Sequence, residues 1–442
     1  MARLPLEGIT VIDFSMNWAG PMAGRVLADM GADVIKIESC QKMDAPRYSW
    51  LAENEARERP WERGWFPTLN RNKRGITLDL SRPQGVALAK RLVNMADVVL
   101  ENYSPRVMVN LGLDYPKLKQ IKPDIIMISM SGYGQTGPYR NYIGYGVTLE
   151  PTAGLSELAG YPDGPPVVLD SLPSDPTAGF FAAGAVLAAL RYRHRTGKGQ
   201  YIDLSEMESV GTLIGAEILD YTMNKRVQTR RANRHPAMAP HNFYCCKGEN
   251  KWIAIAVSSD EEWHSLCQVM GNPSWSKEKR FSDALSRQKN QDELDKHIEE
   301  WTLQNDNYEL MLTLQRAGVP AGALFNGKEL YFDPHLKERK YWQVADHPEV
   351  GKRPMVGMPF KLSKTPGCIR APAPTLGQHN EEILGGLLGL SQEEIAQLAQ
   401  ENIIGNVPIP NIPPDITSID IRLQVGVILG YDPDYLKQLG VA

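Results

Sequence analysis

LEGITVIDFSMNWAGPMAGRVLADMGADVIKIE, residues 6–38, sets two short β-branched runs on either side of one amphipathic helical pattern. The first run, 9–14, has the Ile, Thr and Val content of a strand. Ala19, Gly20 and Pro21 then turn the chain into MAGRVLADM, whose apolar spacing suits a helix with proline in its first turn and Gly31 just past its end. A second run at 33–37 completes a β-α-β unit, the unit that builds a parallel sheet under covering helices. The alternation continues with a strand at 75–80, a helix over 83–95 and strands at 97–100 and 125–129. A long Ala-rich helix over 176–195 ends at the glycines of RTGKGQ, and a strand at 201–204 follows before Ser205 starts another helix. The expected class is α/β, with a Rossmann-like parallel sheet in a large domain.

At ~150 residues per domain, 442 residues suggest two or three domains. Composition shifts at NKRVQTRRANRHP, near 224–236, a basic run ended by proline that reads as a linker or as a solvated basic loop. Residues 240–325 form a smaller α+β unit, with a strand at 252–257 and two helical patterns before GVPAGAL. Past Asn326 the chain is rich in Pro and Gly, down to PIPNIPPD at 408–415. The expected division is 1–225, 226–326 and 327–442.

Hydrophobic residues at 42% and charged residues at 23% match an ordinary globular protein and exclude disorder, collagen-like and coiled-coil architectures. Forty-eight Lys and Arg against 52 Asp and Glu leave a net charge of -4, without the broad positive field of a nucleic-acid or anionic-membrane binder. Cys40, Cys245, Cys246, Cys267 and Cys368 show no C-x-x-C spacing, which argues against a disulfide framework or a structural zinc site and for a reducing compartment. The first residues have no basic and apolar leader pattern, and no stretch reaches about 18 uninterrupted apolar residues. The expected location is the cytoplasm and the expected partner a small molecule.

Gly132, Gly134 and Gly137 spell G-x-G-x-x-G just after the strand IIMIS. A dinucleotide fingerprint needs its third glycine inside the following helix, whereas Pro138, Asn141 and Gly144 prolong an irregular loop, so nicotinamide binding is not expected. No Walker A sequence, H-E-x-x-H or G-x-S-x-G occurs, and the eight histidines form no ligand-spaced pair. The informative stretch is PPVVLDSLPSDPTAGFFAAGAVLAALRYRHRTGKGQ, where Asp175 precedes Pro176. Aspartate before proline reads as a helix N-cap followed by an N1 proline. A second role is compatible with the first: backbone N–H groups at a helix start favour the ionised carboxylate that a nucleophile needs.

The opening stretch, NRNKRGITLDL, VVLENYSPRVMVNLGLDY, SMSGYGQTGPY and the Asp175 segment with RTGKGQYIDLS, in this order from about residue 5 to 390, resemble the class III CoA-transferases. That family includes formyl-CoA and carnitine CoA-transferases and the α-methylacyl-CoA racemases. The resemblance implies a large domain built from both N- and C-terminal segments, a smaller inserted domain, and two interlocked subunits. It places the catalytic aspartate on Asp175, which would carry the acyl group as a mixed anhydride and then CoA as an aspartyl thioester. No tightly bound cofactor or metal is implied; a CoA thioester is the substrate, with an acyl-CoA donor and a carboxylic acid acceptor. CoA contacts fall on Asn17, Trp18, Ser39, Leu80, Ser81, Asn102 and Tyr103, with Tyr133 near the thioester. Formyl-CoA transferases carry arginines near Ser39 and Asn110, so Lys42, Arg74 and Arg106 become the candidates for phosphate. The family's small-domain glycine loop is replaced by RHPAMAPHNFYCCKG at 234–248, which leaves the oxyanion-binding amides open.

A racemase is the alternative within the fold, but the place of its histidine is taken by Gly144-Tyr145-Gly146, and tyrosine, with a pKa near ~10, is a poor base. Another alternative is one subunit of a hetero-oligomeric transferase beside a paralogous chain. SWLAENEARERPWERGWF groups Trp50, Trp61, Trp65 and Phe66 with Arg57, Arg59 and Arg63, as a surface lid or as a loop meeting an aromatic dicarboxylate. Succinyl-CoA with an aromatic succinate is the expected substrate pair on the second reading.

Overall fold

A computed structural model describes residues 3–48, 59–62, 65–409, 423–424 and 430–441. Contacts divide the chain into two units: Met1–Leu155 with Val168–Asn224 and Glu338–Ala442, and Ser156–Val167 with Lys225–Lys337.

The larger unit is built on six parallel strands: β1 (Thr10–Asp13), β2 (Asp33–Glu38), β3 (Lys73–Thr77), β4 (Val98–Glu101), β5 (Ile126–Ser131) and β6 (Tyr201–Ser205). Their order is β3-β2-β1-β4-β5-β6, the doubly wound arrangement that the first βαβ unit implied. Side chains alternate across each strand, and both faces are apolar because helices cover both. Ile12, Ile35, Ile76 and Val99 face the helix Pro83–Met95 through Leu88, Ala89, Leu92 and Val93. Val11, Val34, Val98, Ile126 and Ile128 face the helices Ala19–Asp29 and Ser174–Thr196. Those two helices meet through small residues. A Cβ on Gly179 would lie 2.8 Å from Met22 Cβ and 2.9 Å from the Ala19 carbonyl oxygen, so only glycine permits this approach.

The long helix starts at Ser174 rather than at 176, with Pro173 already in helical geometry at the cap position. Asp175 is therefore not the N-cap: it is the second helical residue, inside the first turn. The third strand begins at Lys73, ahead of the apolar run, because Lys73 is buried against Asp13 of β1. The sequence-expected strand at 252–257 and the helix over 83–95 match the observed elements to within one residue.

β3 is a sheet edge, and the C-terminal segment covers it. Asn72 N–H donates to the Ala371 carbonyl, Gly75 N–H to His379 Nδ1 and Thr77 N–H to Asn380 Oδ1. Pairing of this kind consumes the free hydrogen-bonding groups of an edge strand. An antiparallel hairpin of β10 (Trp342–His347) and β11 (Gly351–Val356) precedes that segment.

In the smaller unit, β7 (His241–Cys245), β8 (Trp252–Ala256) and β9 (Ala321–Ala323) form an antiparallel sheet over a core including Tyr244, Trp263, Phe281, Leu294 and Leu314. The basic run near 224–236 is partly tied into this unit: Arg230 pairs with Glu157 at 2.9 Å, and Arg234 with Asp292 and Asp295 at 2.5 and 3.2 Å.

Candidate active site

In a doubly wound sheet the loops after the two central strands diverge, and the crevice between them is where ligands bind. Here those strands are β1 and β4. Asn102, just after β4, accepts from Met16 N–H at 2.7 Å and donates back to the Met16 carbonyl at 2.8 Å, fixing the two loops side by side. Beside them opens a cavity of about 380 Å³. Its walls come from Met16 and Asn17 after β1, Lys42, Met43, Ala45 and Tyr48 after β2, residues 102–105 after β4, Ser131 and Gly132 from the end of β5, and Asp175 and Glu206.

Buried ion pairs hold these loops in place. Lys36 Nζ lies 3.1 Å from Asp44 Oδ2 and donates to the Ser15 carbonyl at 2.5 Å, while the Asn17 N–H donates to Asp44 Oδ1 at 2.7 Å. Asn17 itself has φ 63°, a left-handed turn that asparagine tolerates. Arg47 pairs with Glu38 at 2.6 Å and with Glu62, and its guanidinium sits 3.7 Å from the Phe66 ring centroid. Lys73 Nζ donates to Asp13 Oδ2 at 2.8 Å, Asn70 Oδ1 at 2.8 Å and the Pro21 carbonyl at 3.0 Å. Burial alone would raise Asp13, but Lys73 and Lys36 hold its carboxyl below the ordinary range.

Three carboxyl groups gather around the cleft. Asp175 stands in the first turn of its own helix, and Ala19 is the first residue of the helix packed against it. Neither helix start has a side-chain cap, so backbone N–H groups are left for an anion. Burial raises Asp175 to about 6; the Ala19 amide opposes the rise and the Glu150 charge adds to it. Glu206, first residue of the helix Glu206–Gly211, is 7% exposed, and burial followed by the nearby Asp175 charge pushes it up to about 8. Glu150 is fully buried in the helix Gly146–Thr152; one oxygen accepts from Leu169 N–H at 3.3 Å and the other has no hydrogen-bond partner. Glu206 was not legible as a site residue, because YIDLSEME reads as a strand followed by an ordinary capped helix.

The sequence-derived candidates divide into groups. Asn17, Asn102, Tyr103 and Asp175 line the cleft together, and Lys42 joins them. Trp18 packs edge-on to Trp65 with ring centroids 4.7 Å apart. Ser39 donates to the Gln41 side chain at 2.6 Å. Tyr133 stacks edge-on against Tyr139 and Tyr142, the latter a cleft residue. Leu80 and Ser81 line a separate groove with Lys90 and Asn110. Arg106 is exposed at the start of the helix Arg106–Leu111. Arg74 is already committed to Asp33 and to Glu382, the latter at 2.7 Å. The glycine motif closes a loop: a Cβ on Gly132 would lie 3.0 Å from Gly144 Cα, and Gly137 sits in that loop with φ 81°. Trp50, Arg57 and Arg63 lie outside the described residues. Arg59 is tied to Glu349 and Thr375, and Phe66 is buried under Arg47. Among the described residues no cluster suited to holding a metal ion occurs.

A sequence profile described as CoA-transferase family III matches residues 6–380. The chain belongs to CoA-transferase family III. It is 38% identical over 401 residues to the succinyl-CoA–D-citramalate CoA-transferase of Chloroflexus aurantiacus, covering 90% of this chain and 98% of that one. The beta subunit of succinyl-CoA–L-malate CoA-transferase from the same organism is 33% identical, covering 91% and 98%. Among solved structures, a CAIB/BAIF family protein from Brucella suis superposes with a TM-score of 0.80 at 32% identity, covering 87% of this chain and all of that one. The chain is thus a CoA-transferase using a CoA thioester, on the fold its sequence resembles. No helix among the described residues is long and apolar enough to cross a membrane.

Proposed function

We propose that this CoA-transferase moves CoA from succinyl-CoA to a short aliphatic dicarboxylate, with Asp175 as the covalent carrier. The observation that carries the reading is the position of the Asp175 carboxylate, in the switch-point cleft and beside the uncapped starts of two helices. Its carboxylate attacks the thioester carbonyl; the C–S bond breaks, leaving a mixed anhydride and CoA thiolate. The thiolate attacks the aspartyl carbonyl, and the donor acid departs as its carboxylate. The acceptor carboxylate then attacks the aspartyl-CoA thioester, and the released thiolate cleaves the second anhydride at the acceptor's carbonyl, restoring Asp175. Every step exchanges one acyl bond for another, so no external energy source enters. A positioned N–H donor at each oxyanion is typically worth ~3 kcal/mol.

The names of the two relatives pair succinyl-CoA with D-citramalate and with L-malate. An aromatic acceptor rested on the tryptophan-rich loop, but Trp61 packs against the cluster of Cys40, Met43 and Leu376, and Trp65 against Trp18. The relatives' substrates and the packing of these two rings favour an aliphatic acid. Racemisation is disfavoured because no histidine lines the cleft among the described residues. Because one relative is a beta subunit, a hetero-oligomer with a paralogous chain stands beside the interlocked homodimer as a possible assembly. The test is an exchange panel: succinyl-CoA mixed with isotopically labelled malate, citramalate, glutarate and benzylsuccinate, the products read by mass spectrometry. Labelled aliphatic acyl-CoA is the expected product; transfer to benzylsuccinate alone would overturn the substrate class.

A further inference from the structure

Glu206 plays no part in the transfer chemistry above, yet it lines the same cleft as Asp175 and is almost fully buried. Its helix packs against the long helix carrying Asp175, and Met207 N–H donates to the Gly132 carbonyl at 2.9 Å, which pins the start of the Glu206 helix to the cleft wall. Among the described residues neither a hydrogen bond nor an ion pair reaches the Glu206 carboxyl. The charged and titratable groups around it offer no relief. The Asp175 charge acts on it from the long helix, and the Glu150 charge acts on Asp175 in turn. Asp203 on β6 is engaged with the Gln135 N–H at 2.8 Å. Lys42, Tyr48, Tyr103, Tyr142 and Tyr145 line the cleft elsewhere, and no cation acts on Glu206. Two carboxylates in such a pocket cannot both ionise cheaply, so one of them keeps a proton near neutral pH.

We propose that Glu206 is a positioning residue that keeps this proton, leaving Asp175 as the anion and keeping the pocket open to carboxylate acceptors. The asymmetry comes from geometry. Asp175 lies in the first turn of a helix without a side-chain cap, beside the uncapped start at Ala19, whereas the helix that Glu206 begins is capped by Ser205, which accepts from Glu208 N–H. Accordingly the Ala19 amide favours the Asp175 anion, and Glu206 feels only burial and the Asp175 charge. When Glu206 ionises, its proton passes to solvent through the open cleft, and a second fixed negative charge then opposes both the arriving acid and the oxyanions of transfer. The role deepens the function proposed above and rests on it.

The test follows exchange of ¹⁴C-succinate into succinyl-CoA from about pH 5 to about pH 10. Wild-type exchange should fall about tenfold between pH 7 and pH 9, with the loss appearing in the KM for succinate, because Glu206 loses its proton in that interval. In Glu206→Gln the ratio of rates at the two pH values should be close to one, while the acidic limb near 6, which belongs to Asp175, persists. An independent readout is the infrared band of protonated carboxyl groups. Wild type should show a component that disappears on titration through about 8, and Glu206→Gln should lack it. Glu101, raised by burial to about 7, supplies a separate component common to both proteins. An alkaline limb that survives in Glu206→Gln, or a wild-type spectrum without the alkaline-titrating band, would overturn the proposal. Exchange that survives in Asp175→Ala would instead overturn the function it rests on, and the infrared result would still report on Glu206.

Discussion

The sequence singled out Asp175 and the family resemblance implied its role; the structure puts it in the cleft, among surroundings that the sequence did not show. A chain read in one dimension shows an aspartate before a proline; it does not show that Ala19, far away in sequence, lends its amide to that carboxylate. Asp175→Ala should lower exchange by at least about 10³-fold, since covalent carriers have no substitute, while CoA binding measured by calorimetry persists. Exchange should also decline as pH drops through about 6, where Asp175 takes up a proton and the proposed nucleophile is lost. Glu206 carries a stability consequence of opposite origin. Its folded-state value, about 8, lies above the ordinary glutamate value, so its contribution is favourable at low pH and is lost as pH rises toward 8. Glu206→Gln removes this loss. Its thermal stability should exceed that of wild type by about 2–4 kcal/mol at pH 8 and by little at pH 4, as measured by calorimetric unfolding.

At the level of elements, the sequence revealed the strands and helices of the βαβ core because hydrophobic periodicity and Gly and Pro punctuation agree there. The start of β3 at Lys73 was hidden, because a buried lysine in a strand becomes intelligible only beside its partner Asp13. Removing Lys73 takes the direct ion pair from Asp13 and leaves only Lys36 to offset its buried charge. Lys73→Met should therefore destabilise the fold by about 3–5 kcal/mol in denaturant unfolding. The close crossing of Ala19–Asp29 and Ser174–Thr196 depends on Gly179. Gly179→Ala should cost about 1–3 kcal/mol and also slow exchange, since spreading the helices moves Asp175 away from the Ala19 amide. A stability loss with unchanged exchange would separate the packing from the site.

For the molecule as a whole, the return of the C-terminal segment to the β3 edge came from family resemblance rather than from periodicity, because the segment adds no strand to the sheet and is held by scattered backbone and side-chain bonds, as in Asn72 to Ala371, Gly75 to His379 and Thr77 to Asn380. Assembly is the property least written in local sequence. Phe180, Phe181, Leu187 and Tyr192 of the long helix and Ile218, Leu219, Tyr221 and Met223 of the helix Gly215–Asn224 are exposed apolar side chains. Large exposed apolar areas of this kind mark interaction surfaces. The interlocked pair expected from the family should appear as twice the chain mass in native mass spectrometry, and a monomer at micromolar concentration would contradict it. The decisive measurement is of covalent cargo. Protein incubated with succinyl-CoA and treated with hydroxylamine should carry one hydroxamate, which peptide mass spectrometry locates on Asp175, and Asp175→Ala should carry none. A hydroxamate on another residue, or none while exchange proceeds, would contradict the account.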